Sequence, residues 1–214
     1  MLGLLIYLPA LAKEKAPPTI IDGLELIPDT QMGLVYADPE ADLGFYNNLL
    51  LMDAQVAFKK DWLRDINQDK PYRVTPGDME RIKAEVSALF REIFTDKLQA
   101  AGFVLVSQQS PETMIIRPAI LDLNVNSPAT PSANTTRNIT ESAGDMTLYL
   151  ELRDSVTGDV LVKAMDFKFD RSNITTFMMD RTRNERAARK LLTNWAQVLV
   201  NGLKEAQVGT TGRP

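Results

Sequence analysis

The sequence predicts a single α+β domain in which two amphipathic helices cover one face of a small antiparallel or mixed β-sheet. Two observations predict the helices: apolar residues recur at helical spacing over residues 75–101 and again over residues 184–206. A third observation predicts the sheet, because shorter runs between them alternate apolar and polar residues. The predicted element order is β-α-β-β-β-β-α after an irregular leader.

The N-terminal residues differ in composition from the rest of the chain. Residues 2–12 carry no charge, and Ala10-Leu11-Ala12 fits an A-x-A cleavage site. The apolar run is too short to span a bilayer but suits the h-region of a secretory signal. We therefore expect residues 1–12 to be a signal-peptide h-region and cleavage site, and the mature chain to be exported. No Lys or Arg precedes the run, which leaves a buried N-terminal strand as the alternative.

The remaining chain divides by composition into three parts. Residues 13–46 are rich in Pro and Gly and predict an extended leader that lies over the domain. Residues 47–206 predict the single α+β domain, and residues 207–214 a frayed polar tail.

The first predicted helix has clear ends, and the first predicted strand precedes it. Residues 48–58 form a short apolar run that predicts a strand. Thr75 can cap the helix, Pro76 fits the first helical position and Gly102 supplies a stop.

The later strands are predicted from alternation. The run 114–125 contains Pro118, which predicts an edge strand or a bulge. A hairpin follows a polar loop over 126–144, and in its return strand Met165, Phe167 and Phe169 are expected to face the core.

Composition excludes several classes of function. The chain has 24 Lys+Arg against 28 Asp+Glu and a pI near 5.0, so it lacks the basic footprint of a nucleic-acid binder or of a partner for anionic lipid. No run of 18 apolar residues predicts a transmembrane helix. The sequence has no Cys and no His, so disulfides, thiolate chemistry, a Ser-His-Asp triad and His-ligated metals are excluded. We therefore predict no catalytic residue, no metal and no cofactor.

With these segments in place, the chain resembles a domain-of-unknown-function family of bacterial envelope lipoproteins over residues 20–205. The blocks that carry the resemblance are Asp22-Gly23-Leu24, Asp42-Leu43 with Tyr46, Val56-Ala57-Phe58, Met79 to Ile82 with Leu89-Phe90, Arg117 to Ile120, Ser142-Ala143-Gly144 with Leu148 to Leu152, Asp154 to Gly158, and Trp195.

The resemblance implies an envelope protein without known catalytic residues. Family members are generally anchored through a lipobox cysteine, and this chain departs from that pattern because Lys13 follows Ala12 and no Cys exists. We therefore expect no acyl anchor, a periplasmic or secreted location, and outer-membrane association only through partners. Envelope proteins or a second copy of the chain are the expected partners.

Two patterns of carboxylates and amides suggest chemistry. Asp122-x-Asn124-x-Asn126 matches the first half of a calcium loop, but Ser127 replaces the required Gly and Ala133 the final Glu. The alternative is a strand end that enters a turn. Asp53 and Asp122 both interrupt apolar strands, and two close carboxylates could serve as acid and base in a hydrolase.

Cations crowd the start of the last helix, where they oppose the helix dipole. An anionic partner or envelope contact is one interpretation, and a solvated, ion-paired face is the other. The predicted contact residues are Arg181, Arg183, Arg186 and Arg189.

The sequence therefore predicts a non-enzymatic periplasmic binding or assembly module. The alternative is a carboxylate-based hydrolase in the same compartment. An enzyme would bring Asp53 and Asp122 together in a pocket, whereas a binding module would offer an exposed apolar face or a groove.

Overall fold

A computed structural model describes the chain over residues 16–68, 73–125, 138–140, 144–169, 177–179 and 181–211. For residues 138–140, 144, 168–169, 177–179, 181–184 and 209–211, the description covers the backbone alone. The predicted signal segment, residues 1–12, lies outside the described residues, as does most of the predicted loop over 126–144.

The architecture is an open mixed sheet of nine strands with helices, which confirms the predicted α+β class. The strands of this sheet are β1 (Ile20–Ile21), β2 (Leu24–Leu26), β3 (Leu34–Ala37), β4 (Asn48–Leu51), β5 (Gln55–Phe58), β6 (Val104–Leu105), β7 (Thr113–Val125), β9 (Gly144–Asp154) and β10 (Val160–Phe169). Hydrogen bonding gives them the order β1-β2-β3-β10-β9-β7-β4-β6, and β5 also pairs with β7. A separate two-stranded sheet pairs β8 (Asn138–Thr140) with β11 (Phe177–Met179).

Part of the predicted leader belongs to the sheet. Its three strands β1, β2 and β3 form an antiparallel run whose last member pairs with β10. The ring of Tyr36 on β3 is buried, and its hydroxyl donates to the carbonyl of Pro18 at 2.9 Å. The start of the leader, at Pro18, therefore lies against its third strand, β3.

The long strand β7 is central, so of the two alternatives predicted from Pro118, an edge strand or a bulge, the edge is wrong and an irregularity in the strand is present. Antiparallel β9 lies on one side of β7, and parallel β4 and β5 share the other. The carbonyl of Ile116 accepts from the amide of Met52, so the backbone of Ile116 points toward β4. Because backbone groups alternate in direction along a strand, the backbone of Pro118 points to the same side. There, residues 52–54, which separate β4 from β5, interrupt the pairing with β7. The missing N–H of Pro118 therefore costs no ladder bond. The ladder with β9 does shift register, between Leu121 and Asn124.

The two predicted helices are present, with a short third helix between β5 and the first of them. They are α1 (Trp62–Ile66), α2 (Pro76–Ala100) and α3 (Arg181–Thr211). The start of α2 is a capping box, because Thr75 accepts from the amide of Asp78 while Asp78 accepts from the amide of Thr75. No helix in the described segments is long and apolar enough to cross a membrane.

Helices α2 and α3 pack against each other and against one face of the sheet. Their apolar stripes and the inward residues of β4, β7, β9 and β10 form one core. The largest fully buried side chains include Trp195, Phe90, Phe94, Leu49, Leu98, Met114, Ile116, Ile120, Leu148, Leu150 and Leu192.

The predicted inward face of β10 is wrong. Met165 is 40% exposed and Phe167 59% exposed, whereas Asp166 between them is only 6% exposed. Burying a carboxylate needs hydrogen-bond donors, and the donors here come from distant segments. Trp195 Nε1 donates to one carboxylate oxygen at 2.7 Å, and the amide of Gly33 donates to the other at 3.0 Å.

Gly33 allows this close approach. A Cβ at this position would lie 3.2 Å from Asp166 Oδ1 and 3.3 Å from the carbonyl oxygen of Met165. The absence of a side chain therefore lets the segment before β3 reach the buried carboxylate. We call Gly33, Asp166 and Trp195 the buried junction, after the buried carboxylate and indole ring at its centre, since these residues join the leader, β10 and α3.

Candidate binding cleft and the predicted site residues

An open cleft of about 1070 Å³ lies between β5, α1 and the first turns of α2. Its walls come from three consecutive parts of the chain: the end of β5, helix α1 with the residues after it, and the first turns of α2. The lining residues are Val56, Ala57, Phe58, Lys59, Asp61, Trp62, Leu63, Arg64, Asn67, Gln68, Arg73, Met79 and Lys83.

The floor of the cleft is aromatic. The rings of Phe58 and Trp62 stack with their centroids 4.1 Å apart. Trp62 is buried, and its Nε1 donates to the carbonyl of Val125 at 3.2 Å. The last residue of β7 thereby holds the indole ring in place, and Phe58 offers a fixed apolar surface beside it.

One wall is fixed by side-chain hydrogen bonds between Asn67 and Val74. The side-chain amide of Asn67 donates to the carbonyl of Val74 at 2.8 Å, and its oxygen accepts from the amide of Val74 at 2.7 Å. These two bonds close the chain between α1 and α2. Asp61, just before α1, has a φ of 63°, a left-handed conformation that Asp tolerates better than most residues.

The rim of the cleft is basic. Lys59, Arg64, Arg73 and Lys83 line it, and Asp61 is the one carboxylate in the lining that the structure describes. Arg64 pairs with Asp61 at 3.4 Å and with Asp65 at 3.0 Å, and Lys83 pairs with Glu80 at 2.8 Å. Within the part of the chain that the structure describes, no carboxylate lies within 4.0 Å of Lys59 or Arg73.

The structure does not bring Asp53 and Asp122 together. Asp53, whose side chain is 77% exposed, pairs with Arg91 Nε at 2.5 Å. Asp122 is exposed beside Leu123, the residue that pairs with Phe58 at the far end of β5. The length of β5 therefore separates the two carboxylates.

The partial calcium pattern acquires no metal geometry in the described residues. Asn124 donates to Asp145 Oδ2 at 3.1 Å, and Asn126 lies outside the described residues. Among the described residues, no group of three or more acidic side chains is placed to hold a metal ion. Asp122 itself has a φ of 52° at the irregular end of β7.

The predicted basic cluster lies at the start of α3, and its members have different surroundings. The side chains of Arg181 and Arg183 lie outside the described residues, and Arg186 is exposed. Arg189 pairs with Glu92 of α2 at 2.8 Å and with Glu185 at 3.6 Å. The hydrogen bond that Arg189 donates to Glu92 raises the pKa of Arg189 above its usual value, and this ion pair joins α3 to α2. An anion contact at this cluster stays a prediction.

Two tyrosines with raised pKa values lie outside the cleft lining. Burial, and then the hydrogen bond to Asp154 at 2.8 Å, raise the pKa of Tyr46 to about 12. Asp154 also accepts from the amides of Val156 and Thr157, both at 2.7 Å. The bond from the Thr157 amide is the main reason that the pKa of Asp154 is lowered. These contacts organise the β9–β10 turn, because the carboxylate ties its amides to a ring from another segment.

A second perturbed group lies on β9, on the sheet face opposite the helices. Burial raises the pKa of Tyr149, and its hydroxyl donates to Glu151 at 2.7 Å. Arg153 donates to the other oxygen of Glu151 at 2.8 Å. Burial opposes ionisation of Glu151, but the bonds from Tyr149 and Arg153 outweigh it and its pKa is lowered. Tyr149, Glu151 and Arg153 are thus bonded to one another along β9, and these bonds stabilise the strand.

Sequence reasoning missed the cleft. The available signal was the pair Lys59-Lys60 followed by Trp62, a large aromatic residue in a charged and otherwise irregular segment. Nothing in that spacing shows that Arg73 and Met79 return to the same place. Their return depends on the fold between α1 and α2.

The fold and the cleft define an α+β domain with an open sheet edge beside a basic groove. Residues 24–199 match the family described as protein of unknown function (DUF3313), and the chain belongs to this family. The predicted membership in a domain-of-unknown-function family is thereby confirmed. None of the curated proteins matches the sequence.

Several solved structures are similar to the chain at low identity. A DUF330 protein from Xanthomonas campestris is 13% identical, with coverage of 78% of this chain and 89% of that chain and a TM-score of 0.45. The PelC dodecamer from Paraburkholderia phytofirmans is 12% identical, with 70% and 88% coverage and a TM-score of 0.36. A minor lipoprotein from Acinetobacter baumannii is 12% identical, with 73% and 91% coverage and a TM-score of 0.34. Likeness at this level carries no conclusion about function.

Proposed function

We propose that the protein is a non-enzymatic binding or assembly module of the bacterial cell envelope, which acts in the periplasm and contacts its partner through the cleft beside β5. The observation that carries the proposal is the composition of this cleft. An aromatic floor formed by Phe58 and Trp62 adjoins a rim on which Lys59 and Arg73 have no carboxylate partner among the described residues. Fixed apolar surface ringed by cations suits recognition.

Chemistry fits the cleft less well than binding does. Asp61, the one carboxylate among the described lining residues, pairs with Arg64. A hydrolase would need a second acidic group within reach of the same bond. The other carboxylates named by the sequence, Asp53 and Asp122, lie at opposite ends of β5, and no observation favours the hydrolase alternative.

Export is supported by the N-terminal sequence. The uncharged run 2–12 and the Ala10-Leu11-Ala12 site are typical of a cleaved secretory signal. Sequencing the N-terminus of protein recovered from the periplasmic fraction of its native cells tests this. We expect a start near Lys13, and a start at Met1 in the cytoplasmic fraction would overturn export.

Site-specific photocrosslinking in intact cells tests the cleft. A benzophenone amino acid replaces Gln68, an exposed cleft residue, and in a matched strain it replaces Val156, which is exposed at the β9–β10 turn. We expect a defined crosslinked product from the position 68 variant, identified by mass spectrometry, and none from the position 156 variant. A product from position 156 without one at 68 would reject the cleft as the contact surface.

A further inference from the structure

The edge of β5 borders the cleft directly. Four consecutive residues, 56–59, line it, and successive strand residues point to opposite faces, so the strand presents its edge rather than one face. Within the described residues, β5 has one neighbouring strand, β7, on its other side. The second half of β7 therefore ends the sheet at β5, with the cleft beyond it.

The backbone of β5 is oriented to accept another strand. The amide of Lys59 donates to the carbonyl of Leu123 at 3.0 Å, toward β7. Since strand amides alternate in direction, the amide of Phe58 points the other way, into the cleft. An edge with outward N–H and C=O groups is a template for pairing with an extended chain.

The basic residues of the cleft favour an added chain with negative charge. Among the described residues, four cations line the cleft against one carboxylate, although the whole protein carries a formal charge of -4. A local basic rim on an acidic protein attracts acidic segments and disfavours basic ones. Met79 and the ring of Phe58, which stacks on the buried Trp62, supply apolar contacts for alternate side chains.

We propose that the cleft binds an extended acidic segment of a partner protein as an added strand on β5. The proposal rests on the proposed function and names its partner class. A peptide fits better than a lipid, because the cleft is open rather than an enclosed apolar cavity and only a peptide uses the outward backbone groups of β5. Its main chain would bond to the strand edge, with acidic side chains toward Lys59 and Arg73.

A synthetic peptide tests the proposal on the purified protein. The probe is a fluorescent peptide of about eight residues that alternates Val and Glu, compared with one that alternates Val and Lys. We expect the acidic probe to bind in fluorescence anisotropy and the basic probe to bind at least about tenfold more weakly. The double variant Lys59→Glu, Arg73→Glu should weaken binding of the acidic probe by about tenfold or more.

The matched control is the double variant Lys60→Glu, Lys204→Glu, which makes the same charge change at exposed positions outside both the cleft lining and the predicted basic cluster of α3. It should bind the acidic probe like the wild type. Amide hydrogen exchange gives a second readout, because an added strand should slow exchange at Phe58 on probe binding. An acidic probe methylated on alternate backbone nitrogens should lose that protection and bind more weakly.

Three results would overturn the proposal. One is equal binding of the acidic and basic probes, and another is equal weakening by the cleft and control variants. The third is binding of phosphatidylglycerol vesicles that depends on Lys59 and Arg73 while neither peptide binds. That last result would assign the cleft to an anionic lipid surface and leave the proposed function intact, whereas the position 156 crosslink alone would reject both.

Discussion

The buried junction and the cleft differ in how they use polar groups. In the junction, the carboxylate of Asp166 accepts from Trp195 and from Gly33, and all three segments are fixed by that contact. In the cleft, Lys59 and Arg73 lie on an open rim without a carboxylate partner in the described residues. The polar groups of the junction stabilise the fold, whereas the cations of the cleft rim are placed to contact a partner.

This difference separates residues that stabilise the protein from residues that recognise something else. A buried polar group must find its donors within the chain, since water cannot reach it. A cation on an open rim is solvated and costs nothing when unpaired. Substitutions in the junction should therefore lower the free energy of unfolding, and substitutions of the rim cations should weaken binding of a partner instead.

The largest expected loss of stability follows from Trp195→Ala. Trp195 is 1% exposed and packs in the core between α3 and the sheet. Removing a buried Trp side chain lowers the free energy of unfolding by about 3–5 kcal/mol. Urea denaturation followed by circular dichroism measures the change.

Trp195→Phe separates packing from hydrogen bonding at the junction. The ring volume is mostly kept, but the indole N–H donor to Asp166 is lost, so we expect a smaller loss of about 1–3 kcal/mol. If Trp195→Phe is as stable as the wild type, the hydrogen bond contributes nothing and the contrast between junction and cleft rests on packing alone.

The junction also marks where sequence reasoning fails. The alternation of Met165, Phe167 and Phe169 predicted the wrong buried face of β10, because local pattern assigns apolar residues inward. The carboxylate of Asp166 is buried instead, because it accepts hydrogen bonds from Gly33 and Trp195. These two donors lie 133 and 29 residues away in sequence. No window along the chain contains those partners. Helix α2 was predictable because Thr75, Pro76 and Asp78 act within one turn.

A second prediction concerns the turn between β9 and β10. Asp154→Ala removes an acceptor for the hydroxyl of Tyr46 and for two backbone amides, so we expect a loss of about 2 kcal/mol at pH 7. The pKa of Asp154 is lowered in the folded state. Its stabilisation is therefore complete above the unfolded carboxyl pKa of about 3.9 and is lost as pH falls through the lower folded value.

Urea midpoints from neutral to acidic pH measure this dependence. The gap between wild type and Asp154→Ala should stay constant down to about pH 4 and then shrink. Asp159→Asn, an exposed carboxylate in the same turn, is the control and should show a much smaller gap. A gap that widens on acidification would contradict the assigned hydrogen bonds.

A third prediction addresses the wall of the cleft. Asn67→Ala removes both side-chain bonds to the backbone of Val74, and we expect a loss of about 1 kcal/mol in unfolding free energy. The same change should weaken binding of the acidic probe, because the loop that carries Arg73 is no longer fixed. By contrast, Lys59→Glu with Arg73→Glu should weaken binding without lowering the urea midpoint. A lower midpoint in that double variant would show that the rim cations stabilise the fold.

The cleft was less predictable from sequence than the sheet. The apolar run over residues 48–58, which includes Val56 and Phe58, predicts one continuous strand. The structure breaks it at residues 52–54, opposite Pro118, which separates β5 from β4. That break depends on pairing with a strand about 60 residues later, so periodicity alone does not show it.

The smallest expected effect concerns the predicted basic cluster on α3. Arg189→Ala removes an exposed ion pair with Glu92, so we expect a slight drop in the thermal midpoint at low salt that disappears near about 1 M salt, where charges are screened. Arg186→Ala, at an exposed position on the same helix, should change neither midpoint. A drop for Arg189→Ala that persists in high salt would indicate packing rather than charge. Equal drops for both variants would mean that the two cations act as one cluster, which would return the start of α3 to the class of candidate anion contacts.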